Sequence, residues 1–202
     1  MKLALLGAGA WGTALAISLG RAHDVTLWAR NAALAESLRA TRNNARYLPG
    51  YALPAKIKID ESLSRTIAGA QVIISIVPTA SLREVTKLIT RENNFAPLII
   101  ASKGFETGTG KLPYEVCAET LSPDAMIGVL SGPSFAQEVA KGLPAALTLA
   151  AFNAEFASET ARELNGPRLR VYPSNAVIGV ALGAGLKNVM AIAPGIPDGM
   201  RL

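Results

Sequence analysis

Residues 2–12 read KLALLGAGAWG, a short apolar run followed by three closely spaced glycines. The apolar run at residues 2–6 is typical of a buried strand in a parallel sheet, which is covered on both faces. Residues 12–19 predict a helix directly after the glycines. A strand, a glycine turn and a helix in this order open the α/β folds in which helices cover both faces of a parallel sheet.

The rest of the chain continues this alternation. We predict strands at residues 25–28, 72–77, 97–101, 126–130, 145–150 and 169–172, and helices at residues 33–40, 81–90, 112–121, 155–164 and 176–193 and near Phe135. Residues 43–54 are rich in Asn, Arg, Pro and Gly and are predicted to form a loop. The alternation predicts an α/β fold with a doubly wound, Rossmann-type parallel sheet.

Composition excludes several classes of protein. With 202 residues, 50% of them hydrophobic and 17% charged, the chain is neither disordered nor a disulfide scaffold. Cys117 is the single cysteine and His23 the single histidine, so we expect no disulfide within the chain and no metal site. The net charge of +5 comes without a nucleic-acid-binding motif, and we expect no nucleic-acid partner.

The uncharged stretch from Leu3 to Gly20 resembles a signal peptide or a membrane-spanning helix in its hydropathy. Its glycines, together with Thr13 and Ser18, weaken a continuous helix. A buried strand followed by a buried helix explains the same residues, so we expect no integral membrane span.

Residues 7–12, GAGAWG, match the pattern G-x-G-x-x-G. Gly7 allows the tight turn out of the strand, Gly9 lets the backbone approach a pyrophosphate, and Gly12 lets the helix pack closely on the sheet. The amides and the dipole at the start of the helix then face the phosphates. Because the match lies between a predicted strand and a predicted helix, it favours a dinucleotide-binding site over a structural glycine turn.

The residues after the second predicted strand indicate which dinucleotide binds. An acidic side chain there binds the ribose 2′-hydroxyl of NAD, whereas an arginine suits the 2′-phosphate of NADP. Here Trp28 is followed by Ala29, Arg30 and Asn31, without an acidic residue. We therefore expect NADPH as the cofactor, with NADH left open. An Arg30 that merely lies on the surface is the alternative.

Several segments make the chain resemble the bacterial-type NAD(P)-dependent glycerol-3-phosphate dehydrogenases. They are GAGAWGTALA from Gly7, YLPG from Tyr47, IVPTASLREV from Ile76, ASKGFETGTGKL from Ala101, LSGPSFAQEVAKGLPAA from Leu130 and LGAGLKNVMAIAPGIPDG from Leu182. The resemblance implies a cytoplasmic oxidoreductase that transfers a hydride between NAD(P)H and dihydroxyacetone phosphate. The product is sn-glycerol 3-phosphate for glycerophospholipid synthesis, and the substrate is a small phosphorylated molecule.

The glycine pattern and the resemblance together imply roles for individual residues. The cofactor site is assigned to Gly7, Gly9, Ala10, Trp11, Gly12, Arg30, Asn31, Lys103 and Ala136. The substrate site is assigned to Lys103, Gly132, Ser134, Lys187 and Asn188, with Lys187 as the catalytic acid/base. Ser134 has an alternative role as the N-cap of the helix near Phe135.

Elementary chemistry supports a catalytic role for Lys187. Reduction of a ketone by a hydride builds negative charge on the carbonyl oxygen, where a proton donor is needed. Burial lowers the pKa of a lysine towards the working range. Lys187 is the single charge within residues 176–193, where a charge without a task is costly. The alternative is a lysine whose ammonium group reaches solvent along the surface.

Residues 176–193 are apolar on every side of the predicted helix, which is typical of a helix inside a larger body. We expect a dinucleotide-binding domain at residues 1–174 and the truncated start of an all-helical substrate domain at residues 175–202. The resemblance implies that the missing part holds the substrate phosphate. We therefore expect the chain to bind NADPH with little or no turnover. A homodimer that covers the helix is the other interpretation.

Two other functions are left open by the residues. Ketopantoate reductases share the glycine loop and a catalytic lysine on a helix, but they lack the SKGFE and SGPSFA segments found here from Ser102 and Ser131. From a different class, a non-catalytic NADPH-binding module is the alternative. The presence of both Lys103 and Lys187 argues against that second alternative.

Overall fold

The computed structural model describes residues 1–200, without the side chains of Asn188, Val189, Ala191, Pro194 and Asp198 in the last helix. The described strands are β1 (Lys2–Leu6), β2 (Asp24–Trp28), β3 (Asn43–Asn44), β4 (Leu48–Ala52), β5 (Lys58–Asp60), β6 (Val72–Ser75), β7 (Leu98–Ile100), β8 (Ile127–Ser131), β9 (Ala145–Ala151) and β10 (Leu169–Ser174). The described helices are α1 (Ala10–Leu19), α2 (Ala32–Thr41), α3 (Leu63–Ile67), α4 (Thr79–Arg91), α5 (Pro113–Thr120), α6 (Ala136–Lys141), α7 (Ala154–Leu164) and α8 (Val177–Met200).

Eight of these strands form one sheet, in the order β10-β9-β8-β7-β6-β1-β2-β5. The first strand, β1, lies between β2 and β6 and is parallel to both. The chain therefore winds outward in one direction after β1 and in the other direction from β6 onward. At such a point the loops that leave the two neighbouring strands diverge and open a crevice. The predicted doubly wound, Rossmann-type architecture is confirmed.

One part of the sheet differs from the all-parallel arrangement that the sequence predicts. Strands β8 and β9 are antiparallel, with Ser131 paired to Thr148, whereas β9 and β10 are parallel to each other. The short helix α6 between β8 and β9 packs on α1. The crossover between two parallel strands must carry the chain back to the end of the sheet at which the first strand began, and α6 does not do so. The last two strands therefore point the opposite way.

The side chains of β1 alternate between two apolar layers. Leu3 and Leu5 belong to the layer that contains α1, whereas Ala4 and Leu6 belong to the layer that contains α4 and α5. All four side chains are at most 2% exposed. A strand buried on both faces needs an apolar residue at each of these positions, and this explains the continuous apolar run in the sequence.

The segment between α2 and β6 differs most from the sequence-based prediction. The expected loop at residues 43–54 contains the antiparallel pair β3–β4, and β5 and α3 are absent from the prediction. Pro49 and Gly50 lie inside β4 and locally disfavour a strand. The pair forms because Leu48 and Leu53 are buried in the core around α1. Local propensity does not encode such a tertiary contact.

The last helix, α8, packs on β8 and β9. Val177 and Ala181 are buried against Val129 of β8 and Ala150 of β9. Its other faces carry exposed apolar side chains: Ile178, Leu182, Leu186, Met190, Ile192, Ile196 and Met200. The described residues therefore cover only one side of a helix that is apolar all round. None of the described helices is both long and apolar enough to cross a membrane.

Candidate functional site

A cavity of about 560 Å³ lies at the carboxyl ends of the parallel strands. Residues 7–9 follow β1, residues 29–31 follow β2, residues 76–78 follow β6 and residues 101–103 follow β7, and all of them line the cavity. Ser134, which follows β8, completes this wall. The cavity lies where the winding of the sheet reverses, and its volume is in the range of pockets that hold cofactors and small ligands.

The glycine loop after β1 forms the floor of this cavity. Gly7 has a φ of 120°, and its N–H donates to the Trp28 carbonyl oxygen at 3.1 Å. A methyl group on the Cα of Gly12 would lie 1.8 Å from the Gly7 carbonyl oxygen, so only glycine fits there. By contrast, nothing lies within 4 Å of the equivalent position on Gly9. The backbone of Gly9 is thus open to close approach by a ligand.

The start of α1 is suited to an anionic ligand. Its N-cap residue is Gly9, no side chain caps its amides, and its first turn contains no acidic residue. The amides of this turn therefore have no side-chain acceptor, and the positive end of the helix dipole lies beside the cavity that Gly9 and Trp11 line. This donor set fits the phosphates of a dinucleotide.

Arg30 and Asn31 lie at the rim of the cavity, after β2. The Arg30 Nη1 atom is 3.5 Å from Glu84 Oε2 of α4, and both side chains are mostly exposed. Exposed pairs of this kind contribute only about 0–1 kcal/mol, so an anionic ligand can compete with Glu84 for the guanidinium group. Asn31 caps α2, because its Oδ1 accepts a hydrogen bond from Leu34 N at 2.8 Å.

Lys103 lies half-buried in the wall of the cavity after β7. Its carbonyl oxygen accepts a hydrogen bond from Thr79 Oγ1 at 2.8 Å, and Ser102 Oγ donates to the Val77 carbonyl oxygen at 2.6 Å. Both bonds tie this loop to the segment that follows β6. Burial lowers the pKa of Lys103, and the positive charge of Lys187 lowers it further. The ammonium group of Lys103 is therefore a better proton donor than an exposed lysine.

Lys187 of α8 is not among the residues that line the cavity, but it is near enough for its charge to act on Lys103. Its Nζ is 5.4 Å from the centroid of the Phe135 ring, within the range of a cation–π contact. Two residues earlier, a methyl group on the Cα of Gly185 would lie 3.2 Å from the Phe105 ring, so α8 packs closely on the loop that carries Lys103. The structure thus brings together two lysines that are far apart in the sequence.

Arg83 of α4 anchors the same loop. Its Nε and Nη2 atoms donate to the two carboxylate oxygens of Glu106, each at 2.8 Å. Nη2 also donates to Glu119 of α5 at 2.8 Å, and Glu119 accepts a further bond from Lys111. The hydrogen bonds from Arg83 lower the pKa of Glu106 to about 2. The loop that presents Lys103 is therefore held by a charged network.

The structure places most of the residues predicted for the cofactor in one cavity. The lining includes Gly7, Gly9, Trp11, Arg30, Asn31, Lys103 and Ala136. Ala10 and Gly12 lie in the first turn of α1, with Gly12 buried. These two residues shape the backbone of the turn and do not line the cavity.

The residues predicted for the substrate are distributed differently. Ser134 lines the cavity. Gly132 packs against β9, where a methyl group on its Cα would lie 2.5 Å from the Ala146 carbonyl oxygen. The alternative role of Ser134 as a helix N-cap is wrong, because α6 has Phe135 as its N-cap. The side chain of Asn188 lies outside the described residues.

Sequence reasoning alone does not assign several residues that line the cavity, among them Tyr47, Pro78 and Ser81. Tyr47 lies in the YLPG segment, which carries the family resemblance but no predicted role. Pro78 and Ser81 lie where β6 leads into α4. The signal for these two residues is their place directly after the strand that neighbours β1, since ligands bind at such strand ends.

The doubly wound sheet, the glycine loop and the cavity at the reversal of winding define a Rossmann-type nucleotide-binding domain. The family model described as NAD-dependent glycerol-3-phosphate dehydrogenase N-terminus matches residues 2–157. The chain belongs to this family.

Relatives of the chain carry the same name. Glycerol-3-phosphate dehydrogenase (NAD(P)+) of Dechloromonas aromatica is 46% identical over 202 residues, which are 100% of this chain and 61% of that protein. The protein of this name from Nitrosomonas europaea is 52% identical over 200 residues, 99% of this chain and 61% of that protein. The chain therefore spans about 61% of the length of these relatives.

A solved structure agrees with this assignment. The crystal structure of glycerol-3-phosphate dehydrogenase from Coxiella burnetii has a TM-score of 0.91 and 37% sequence identity to this chain, and the match covers 99% of this chain and 62% of that one. The similarities do not favour the ketopantoate reductase alternative.

Gly12 and Gly9 of the loop predict two different mutational effects. Gly12→Ala should lower the free energy of unfolding by about 3 kcal/mol or more, because the new methyl group would clash with backbone. Gly9→Ala should cost at most about 1 kcal/mol, because the methyl group points into open space. It should still weaken NADPH binding roughly tenfold or more by blocking the approach to the backbone. Urea unfolding and calorimetry measure the two effects, and an unaltered NADPH affinity in Gly9→Ala would contradict this account.

The ion pair of Glu106 predicts a dependence of stability on pH. Because the folded-state pKa of about 2 lies below the ordinary value of 4.5, the pair stabilises the fold above about pH 4.5, and this contribution disappears as the pH falls towards 2. The wild type should therefore be more stable than Glu106→Gln at neutral pH, and the difference should shrink on acidification. Urea unfolding over this range measures it. Glu36→Gln, which changes an exposed carboxylate on α2, is the control and should show no such trend.

Proposed function

We propose that this chain binds NADPH and forms the cofactor-binding part of a glycerol-3-phosphate dehydrogenase. The observation that carries the proposal is the continuous cavity that joins the glycine loop and Arg30 at one end to Lys103 and Ser134 at the other. A phosphate-binding end and a lysine-bearing end in one cavity are what an oxidoreductase with a dinucleotide cofactor needs.

The phosphate end consists of backbone and one cation. The amides at the start of α1 bind the pyrophosphate, and the open backbone of Gly9 allows its close approach. Arg30 leaves its exposed pair with Glu84 and binds the 2′-phosphate of NADPH. Asn31 holds the start of α2 in place beside Arg30 through its cap.

The reaction end consists of the two lysines. NADPH, when bound, supplies the hydride that reduces the ketone of dihydroxyacetone phosphate. Lys187 donates a proton from Nζ to the carbonyl oxygen, and Lys103 stabilises the negative charge that develops there. The half-buried position of Lys103 in the cavity wall supports this role, because a charge partly removed from water acts more strongly on a nearby oxygen atom. Ser134, Gly132 and Asn188 belong to the substrate side of the same site, as the resemblance implies.

The proposal extends to the organisation of the whole protein. The dinucleotide-binding domain comprises residues 1–174, and α8 opens the helical substrate domain at residues 175–202. The exposed apolar side chains of α8 are the surface on which the rest of that domain packs, and a second copy of the chain is the other candidate for this surface. The site of action is the cytoplasm, with which the single free thiol of Cys117 is compatible.

Two measurements on the 202-residue chain test the proposed function. Calorimetry should show NADPH binding, and the absorbance of the reduced nicotinamide should show little or no turnover with dihydroxyacetone phosphate, since substrate orientation depends on residues the chain lacks relative to its relatives. Rapid turnover would contradict the expected need for those residues. If the chain bound neither NADPH nor NADH, the proposal itself would be contradicted. If a chain extended to the relatives' length bound NADPH without turnover, the non-catalytic module would be favoured.

The position of Arg30 predicts a change in cofactor preference. Arg30→Ala should weaken NADPH binding by about tenfold and leave NADH binding within about twofold, because only NADPH carries the 2′-phosphate. Arg170→Ala removes the same charge from β10, at the far edge of the sheet, and should change neither affinity. Equal weakening of both cofactors by Arg30→Ala would show that Arg30 does not discriminate between them.

A further inference from the structure

Asn44 is a fully buried polar residue beside the glycine loop, at 0% exposure. Its Nδ2 donates one hydrogen bond to the Ala8 carbonyl oxygen at 2.9 Å and another to Thr13 Oγ1 at 2.7 Å. Its Oδ1 accepts a hydrogen bond from Tyr47 N at 3.2 Å. Burial of an amide is costly unless its donors and acceptor are satisfied, and these three bonds satisfy them.

The partners of Asn44 all belong to the wall of the cavity or its support. Ala8 lies between Gly7 and Gly9, at the point where a ligand approaches the backbone. Thr13 lies in α1, next to the turn whose amides face the cavity, and it is also fully buried. A single amide group therefore joins the glycine loop to the helix that follows it. Through Tyr47, the same group reaches a second wall of the cavity.

The segment that carries Asn44 is itself firmly attached. Arg42 adopts a left-handed backbone conformation with a φ of 53° at the end of α2, and Leu53 N donates to its carbonyl oxygen at 2.7 Å. The guanidinium group of Arg42 donates to the carbonyl oxygens of Pro54 and of Ile57, the latter at 2.9 Å. Asn44 thus lies on a segment that these hydrogen bonds hold in place.

We propose that Asn44 is a positioning residue for the dinucleotide. It holds the glycine loop and the start of α1 in the arrangement that binds the pyrophosphate, and it couples this arrangement to Tyr47. The inference rests on the proposed cofactor site, but it makes a claim about the loop that is testable without any cofactor. If Asn44 contributed only to packing in the core, its replacement would lower the stability of the fold. It would then change NADPH affinity no more than an equally destabilising replacement elsewhere.

The test compares Asn44→Leu with a matched control, Asn165→Leu. Asn165 lies at the end of α7 and makes two bonds to the backbone of Val171, at 2.8 and 3.3 Å, far from the cavity. Both variants replace an amide of similar size by an apolar side chain. Amide hydrogen exchange without cofactor is followed at Gly7 and Thr13, whose N–H groups are bonded to the carbonyl oxygens of Trp28 and Gly9. NADPH affinity is then measured at a temperature where all variants are folded.

Asn44→Leu should accelerate exchange at Gly7 and Thr13 by about tenfold or more and weaken NADPH binding by a similar factor. Asn165→Leu should leave NADPH affinity unchanged, and it should accelerate exchange at Gly7 and Thr13 by no more than its loss of global stability accounts for. If Asn44→Leu does not fold, Thr13→Val removes one of the same hydrogen bonds with little change of shape, and it should show the same trend at smaller size.

Unaltered exchange at Gly7 and Thr13 in the folded variants would overturn the inference, as would an affinity change equal to that of Asn165→Leu. If the wild type bound neither NADPH nor NADH, the proposed function would fail. The exchange rates would then still decide whether Asn44 holds the loop.

Discussion

Gly12 packs so closely on the carbonyl oxygen of Gly7 that no side chain fits between them. This contact sets the distance between β1 and α1, the two elements around which the rest of the sheet and the inner layer of helices are arranged. In the same turn, the amides at the start of α1 face the cavity and are uncapped, because the N-cap residue Gly9 has no side chain. The fold and the anion-binding end of the site therefore have the same origin. A larger residue at Gly12 would disturb both.

The reversal of chain direction at β9 has a comparable consequence for the other end of the site. Because β9 and β10 are antiparallel to β8, the chain leaves β10 at the end of the sheet that is opposite the cavity. Helix α8 then runs back along β8, and ten residues of helix rise about 15 Å. This rise places Lys187 beside Lys103. An all-parallel sheet would have started α8 at the cavity and carried Lys187 away from it.

The cations near the cavity differ in whether they are paired with carboxylates. Arg83 is matched by Glu106 and Glu119, and its role is to hold a loop. For Lys103, burial lowers the pKa, and repulsion from the positive charge of Lys187 lowers it further. The contrast separates a cation that holds a loop through two carboxylates from two lysines that lie near each other.

The α/β class, the strand–glycine–helix unit at residues 2–19 and the main candidate residues can be predicted from the amino-acid sequence, because apolar periodicity and glycine spacing are local features. Motif resemblance added Lys103 and Lys187, although nothing local in the sequence shows that they meet. The direction of β9, the pairing of β3 with β4 and the position of Asn44 beside the glycine loop become visible in the folded molecule and not before. Each of these depends on contacts between residues distant in the chain, whose energies outweigh local propensity only after the core has formed.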